Sequence, residues 1–257
     1  MEPGPTVELR NVSKHFGGTD AVTDVSIRVA AGRILCLLGD NGAGKSTLIK
    51  ILSGVFRPSA GDIVMDGSVV GFADPRHARR CGIATVHQDI GTVPLMSVGR
   101  NFVLGAEPTR GWGPWKRLDL GAANRIALEQ MRQLGITRVA DGDRLVGTLS
   151  GGERQALAIG RAIHFGARVL ILDEPTSALG VKEAATVLRL IAGVRDRGVA
   201  IVFITHNVQH AMAVGDVFVV LSHGRKVAEF APGEKTRDEI LTLMSGGEQL
   251  VDIRGEP

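Results

Sequence analysis

The chain has 257 residues, a formal net charge of +3 and 44% apolar residues, enough for one large α/β domain or a core with a smaller subdomain, and nothing in that balance forces a basic surface, so nucleic acid is not the default partner. No apolar run is long enough to cross a bilayer, and Met1-Glu2-Pro3-Gly4-Pro5 has neither the basic region nor the apolar core of an export signal, so a soluble, unexported chain is expected. Cys36 and Cys81 form no close pair of metal-ligand or redox type and are read as reduced, structural cysteines.

In chain order, Val7–Val12 alternates apolar and polar residues, and Val22–Val29 places Val25, Ile27 and Val29 on one face; both suit antiparallel strands with one buried side. Between them, Phe16 is expected on a loop, where its ring could stack on a nucleotide base or pack as an edge of the core. Ile34–Leu38 is apolar throughout, as a strand buried on both faces requires. It runs into Gly39-Asp40-Asn41-Gly42-Ala43-Gly44-Lys45-Ser46-Thr47, which matches the phosphate-loop spacing of Gly, four residues, Gly, Lys and Ser or Thr. Gly39, Gly42 and Gly44 let the backbone curl until successive N–H groups, Asn41's among them, point inward at phosphate oxygens. A helix starting near Gly44 and ending near Gly54 adds its positive dipole end. Lys45 supplies a charge for the β- and γ-phosphates, and the Ser46 hydroxyl suits Mg²⁺. Thr47 completes the motif.

Ile63–Met65 and Ile83–Val86 read as strands, separated by a turn at Asp66-Gly67 and a helix capped by Asp74 with Pro75 in its first position. The basic residues Arg76, His77, Arg79 and Arg80 are read as a solvated helix face. Gln88, at the end of the second strand, could ligate Mg²⁺, orient water or cap the strand. From Asp89 to Thr148 the character changes: Gly and Pro are frequent, Trp112 and Trp115 appear, and Leu120, Ala123, Ala127, Met131 and Leu134 mark one face of a helix closed by Gly135, as in a helical insertion. Ser150 then caps a helix that opens Gly151-Gly152-Glu153-Arg154-Gln155, and the two glycines leave N–H groups uncovered as a second anion site.

Val169–Leu172 is a short apolar strand ending in Asp173 and Glu174. Asp173 is placed to hold Mg²⁺ through water, and Glu174 to accept a proton from water attacking the γ-phosphate. A helix over Ala184–Val194 precedes the buried strand Val199–Ile204, with His206 at its tip as a donor to a γ-phosphate. Val217–Leu221 and Lys226–Phe230 read as a hairpin, and Thr236–Met244 as a terminal helix.

In this order, the phosphate loop, Gln88, the Leu149–Gln155 segment, Asp173-Glu174 and His206 resemble the ATP-binding cassette ATPases over nearly the whole chain. That resemblance implies a P-loop NTPase of α/β class, with a RecA-like core and antiparallel β-subdomain (residues 1–88 and 160–257) and an inserted helical subdomain (89–159). It implies ATP and Mg²⁺ as ligands, and ATP held between the phosphate loop of one cassette and Ser150, Gly151 and Gly152 of another, with Phe16 stacked on adenine. The segments Glu174–Gly180, Val93–Phe102 and Leu243–Glu248 are similar to the ATPase subunits of bacterial monosaccharide importers, and the single cassette resembles the fructose-import type. The implied partners are a second ATPase subunit, membrane permease subunits and, indirectly, a periplasmic sugar-binding protein, at the cytoplasmic face of the inner membrane. Gly180 departs from the family's usual Asp, which bears on cross-dimer contact. Ser245-Gly246-Gly247-Glu248 imitates the signature, but no strand with terminal carboxylates follows it, so it is read as a decoy. An importer for another solute such as an amino acid, and a soluble non-transport cassette ATPase, are the alternatives; the latter would carry paired cassettes with a charged linker or a long heptad insertion. A nucleotide sensor without turnover is disfavoured by the intact Glu174.

Overall fold

The computed structural model describes residues 5–246. Gly247 and Glu248 of the decoy motif, and the first four residues of the expected N-terminus, lie outside that range. Strands β1 (Pro5–Phe16) and β2 (Thr19–Ala30) form a long hairpin. The strict alternation breaks in both strands, because Val12 is buried out of phase with Val7 and Leu9, and Val22 out of phase with Val25. A register shift between Leu9 and Val12, with Asn11 and Asp24 at positive φ, switches the phase. Each bulge adds one residue without turning the apolar set outward. Phe16, expected on a loop, ends β1 and pairs with Thr19.

Next come β3 (Ile34–Leu38), α1 (Lys45–Leu52), β4 (Ala60–Met65), β5 (Ser68–Val70), α2 (Pro75–Arg80) and β6 (Ile83–Val86). β4 and β5 join the first hairpin in an antiparallel sheet of order β2-β1-β4-β5. Asp74 caps α2, its side chain accepting from the His77 N–H, with Pro75 following as expected. The stretch rich in Gly and Pro holds α3 (Val98–Val103), a two-residue hairpin ladder of β7 (Thr109–Arg110) and β8 (Arg117–Leu118), and α4 (Leu120–Gln133). Ala123, Ala127 and Met131 of α4 are fully buried, whereas Leu120, expected on the same stripe, is exposed in the first turn.

The remaining elements are α5 (Gly151–His164), β9 (Val169–Asp173), α6 (Val181–Arg195), β10 (Ala200–Ile204), α7 (Val208–Val214), β11 (Val217–Ser222), β12 (Arg225–Phe230) and α8 (Arg237–Met244). Among the described residues, six strands form the central sheet in the order β12-β11-β3-β10-β9-β6, parallel except for β12. β3, β9 and β10 lie inside it, and four of the five residues of β9 and all five of β3 and β10 are buried. Burying such Leu, Ile and Val side chains contributes about 1.5–3 kcal/mol each, so the strand tips that carry the site are among the hardest parts of the chain to move.

The helical segment has its own packing unit: Val98, Phe102, Ala127, Met131, Val146 and Leu157 belong to a cluster separate from the two that sandwich the sheet. α5 is shared. Leu157 faces that cluster, while Ala156 and Ile159 face the sheet. A boundary at residues 159 and 160 therefore cuts through a continuous helix, and the expected division falls along its length instead.

Candidate nucleotide site

The loop from Gly39 to Gly44 joins β3 to α1 and is gripped from two sides. A Cβ on Gly39 would stand 2.5 Å from the Leu221 carbonyl oxygen, and one on Gly44 2.8 Å from that of Ala21. Gly44 also has φ of 100°, open to glycine at little cost. The turn after β11 holds the same loop: the Gly224 N–H donates to Ala43 and the Thr23 N–H to Gly224. Gly44 is the N-cap of α1 and offers no side-chain acceptor, and the N–H groups of Gly42, Gly44, Lys45 and Ser46 have none among the described residues. Four free donors at the positive end of a helix dipole make an anion cradle. Asn41 and Ser46 are exposed, and the Asn41 N–H is taken by the Asp40 carboxylate. Lys45 Nζ donates to the Gly39 and Asp40 carbonyls at 2.7 and 2.9 Å. Burial pushes its pKa down, opposed by Glu174, Asp40 and Asp173.

The carboxylates sit where expected, at the end of β9. Asp173 is half-buried, and burial pushes its pKa up; the charge of His87 opposes that, Glu174 adds to it and Lys45 opposes it. Glu174 has φ of 50°, a left-handed backbone that costs a non-glycine residue on the order of 1 kcal/mol and needs support from its surroundings. The support comes from the next parallel strand. The Glu174 N–H donates to Ile204, Thr205 Oγ1 donates to Oε2 at 3.2 Å, and the N–H and Nδ1 of His206 both meet Oε1, at 2.9 and 2.8 Å. With both lone pairs of Oε1 occupied, Oε2 keeps one free to take a proton. An ionised carboxylate only accepts, so His206 Nδ1 carries the hydrogen. In the neutral ring Nε2 is then an acceptor, and His206 donates to a γ-phosphate only as the imidazolium or after leaving Glu174.

Other expected members stand apart. Gln88 lies two residues past the end of β6, exposed and without a hydrogen-bond partner among the described residues. Phe16 is partly exposed; it meets Phe56 edge-on at 5.1 Å, and Lys14 Nζ lies 5.1 Å from its ring. It is therefore outside the core, attached to it by one edge.

At the Ser150 end of α5 the two glycine N–H groups are uncovered as expected, while the rest of the end is capped. Ser150 Oγ accepts from the Glu153 N–H, and Glu153 Oε2 accepts from the Ser150 N–H, a complete capping box. Among the described residues Gly151 and Gly152 keep free N–H groups, and both pack against the segment before and within α6: a Cβ on Gly151 would stand 2.5 Å from Leu179 Cδ2, and one on Gly152 3.4 Å from Glu183 Cβ.

Three residues with work at the site escape sequence reasoning. Thr205 and His87 act on Glu174 and Asp173 from neighbouring strand ends, and only pairing across the sheet puts them there. Asn101 is the third. Its side chain, almost fully buried, donates to the carbonyls of Val93, Met96 and Ser97 at 3.0–3.1 Å and accepts from the Val93 N–H at 2.8 Å, so it staples the chain after Gln88 onto α3. A cavity of about 390 Å³ lies beside this segment, lined by Arg79, His87, Thr92, Asn101, Arg161 and Phe165 among others.

The ABC transporter family profile matches residues 22–177. The chain is 38% identical over 252 residues to the fructose import ATP-binding protein FrcA of Rhizobium meliloti, covering 97% of each. It is 38% identical to the xylose/arabinose import ATP-binding protein XylG of Sulfolobus acidocaldarius, covering 93% of each, and 39% identical to the ribose import ATP-binding protein RbsA of Corynebacterium glutamicum, covering 95% of this chain and 45% of that one. It thus spans nearly the whole of some of these relatives and about half of others. In fold it is similar to a nucleotide-free ATP-binding cassette of an ABC transporter, with TM-score 0.78, 24% identity and coverage of 94% and 95%. A dimeric cassette bound to ADP and phosphate aligns with TM-score 0.72 and 24% identity, over 89% of this chain and all of that one.

Proposed function

The chain belongs to the ABC transporter family of ATPases, and from that premise we propose that it hydrolyses ATP as the energy-coupling subunit of a monosaccharide importer. The observation that carries the chemistry is the convergence at three adjacent strand tips: the Lys45 loop after β3, Asp173 and Glu174 at the end of β9, and Thr205 and His206 after β10. In the proposed reaction water attacks the γ-phosphorus, its proton passes to Glu174 Oε2, and ADP leaves with its phosphates still held by Lys45 and the loop N–H groups. Ser46 and Asp173 offer the hard oxygen donors that Mg²⁺ prefers, and the raised pKa of Asp173 marks a carboxylate that a nearby cation would relieve. Bound there, Mg²⁺ would offset charge on the β- and γ-phosphates.

The sugar assignment follows the relatives' names. Among the described residues no helix is long and apolar enough to cross a membrane, which suits a peripheral subunit at the cytoplasmic face of the inner membrane. The cavity beside the stapled segment, with Leu95 almost wholly exposed next to it in sequence, is where permease contact is proposed, within residues 89–102. Ser150, Gly151 and Gly152 are assigned to the γ-phosphate of a second copy, so that a two-fold pair completes two equivalent sites. Two nucleotides buried in that interface would favour the pair by linkage. The test is light scattering of Glu174→Gln with and without ATP and Mg²⁺. A dimer only with ATP is expected; a monomer in both conditions at high protein concentration would refute self-pairing.

A further inference from the structure

Both tryptophans of the chain, and so all of its indole, sit on one small hairpin. Trp112 is 87% and Trp115 75% exposed, and among the described residues neither ring stacks on another or donates a hydrogen bond. The hairpin is closed by backbone hydrogen bonds: the Trp115 N–H donates to Trp112, β7 pairs with β8, and the Asp119 N–H closes the base on the Pro108 carbonyl. Arg110, Lys116 and Arg117 flank the rings, all exposed and none ion-paired among the described residues. Residues 108–118 contain no Asp or Glu.

Leaving two indoles in water forfeits the burial that large aromatic rings usually obtain, so a hydrogen-bonded turn that displays both is suited to a partner. We propose that this hairpin is an interfacial anchor, setting Trp112 and Trp115 into the headgroup layer of an anionic bilayer while Arg110, Lys116 and Arg117 meet lipid phosphates. Indole, with an apolar body and one N–H donor, is suited to that boundary, and each nearby cation adds attraction to anionic lipid. Position agrees. The loop leaves α3 at Leu104, whose carbonyl accepts from Arg161, a residue lining the cavity where permease contact is proposed, so the hairpin starts at the rim of that surface. The inference rests on the peripheral-subunit reading only for which membrane it meets.

The chain has no tyrosine and two tryptophans, so its intrinsic fluorescence reports on this hairpin alone. Adding vesicles of phosphatidylglycerol mixed with phosphatidylcholine to the full chain should shift emission to the blue, brominated acyl chains should quench it, and salt should reverse both. Arg110→Gln/Lys116→Gln/Arg117→Gln keeps both reporters and should weaken partitioning on the order of a hundredfold, with ATP turnover in solution unchanged. Trp112→Phe and Trp115→Phe should each retain a blue shift from the ring that remains. Unchanged emission with vesicles overturns the proposal. So does an equal shift on phosphatidylcholine alone, or a shift that appears only with detergent-solubilised permease, which would make the hairpin a protein contact. A wild-type chain that turns over ATP but does not bind vesicles refutes the anchor alone, and one that binds vesicles without turning over ATP refutes the ATPase reading alone.

Discussion

The two helices whose glycine-containing starts are read as anion sites, α1 and α5, have N-termini finished in different ways. α1 starts at Gly44 with no side-chain cap and, among the described residues, four free N–H groups in and after the loop. α5 starts at Ser150 with a capping box, and its two glycines are pressed against Leu179 and Glu183. The first end is anchored in the buried central sheet and is left incomplete for a ligand to finish. The second caps part of its end with its own side chains, leaves the N–H groups of Gly151 and Gly152 without an acceptor among the described residues, and lies on a helix shared between the helical unit and the sheet. An anion site can thus be left wholly open, or be part-capped in the single chain and finished by a partner. What distinguishes them is how many of the missing acceptors the protein itself supplies.

The largest effect that would break this picture concerns the open end. Glu174→Gln keeps the shape of the side chain and its contacts with Thr205 and His206 but loses the proton acceptor. Turnover should fall about 10²- to 10⁴-fold while nucleotide binding persists; wild-type turnover in a phosphate-release assay would remove Glu174 as the base. If nucleotide completes the α1 end, saturating ATP should also stabilise the folded chain. At a concentration about a hundred times Kd the gain is about 2.7 kcal/mol, or roughly 5–10 °C in Tm for a chain of this size. Scanning calorimetry should show that rise in the wild type and lose most of it in Lys45→Ala. An equal rise in both would mean that the loop N–H groups hold the phosphates without Lys45.

The open end was also the more legible in the sequence. β3, β9 and β10 are apolar on both faces, which leaves few alternatives to interior strands, and the phosphate loop must follow the first of them. The capping box of α5 is written as Ser150 and Glu153, three apart. The helical unit was harder to read. α3 is six residues long, contains Gly99 and Asn101, and follows a Pro-containing loop. What fixes it is tertiary: a Cβ on Gly99 would stand 2.0 Å from Asn124 Oδ1 of α4, and Asn101 is spent on the preceding loop. β5 and the β7–β8 ladder are three and two residues long, too short for a period to show. The left-handed backbone of Glu174 and its link to Thr205 depend on two strands lying side by side, a fact no local pattern contains.

A smaller effect sharpens the comparison at the closed end. Ser150→Ala removes one acceptor of the capping box and should cost about 1 kcal/mol, a fall of roughly 2–4 °C in the Tm of the ligand-free chain. No equivalent loss is available at α1, where there is no cap to delete. If Ser150→Ala leaves the ligand-free Tm unchanged, the box contributes nothing to the single chain and Ser150 serves only the assembled site.

The smallest effect should have the opposite sign, and it separates the two ends most directly. Burial raises the pKa of Asp173 above the ordinary carboxylate value, with His87 and Lys45 opposing less strongly. The folded chain therefore holds that proton more tightly than the unfolded one does, so this group's contribution to stability is greatest when it is protonated in both states. It declines as pH rises through the window from the ordinary value to the raised one. At neutral pH the ionised side chain is a net burden on the ligand-free fold. Asp173→Asn should thus raise the ligand-free Tm by about 1–2 °C at neutral pH, and the difference should close below the ordinary carboxylate range, where wild-type Asp173 is also uncharged. With ATP and Mg²⁺ the order should reverse, because the variant gives up the oxygen assigned to the cation. A variant less stable than the wild type at neutral pH without nucleotide would show that Lys45 and His87 outweigh burial, and that the β9 tip is already satisfied within the chain.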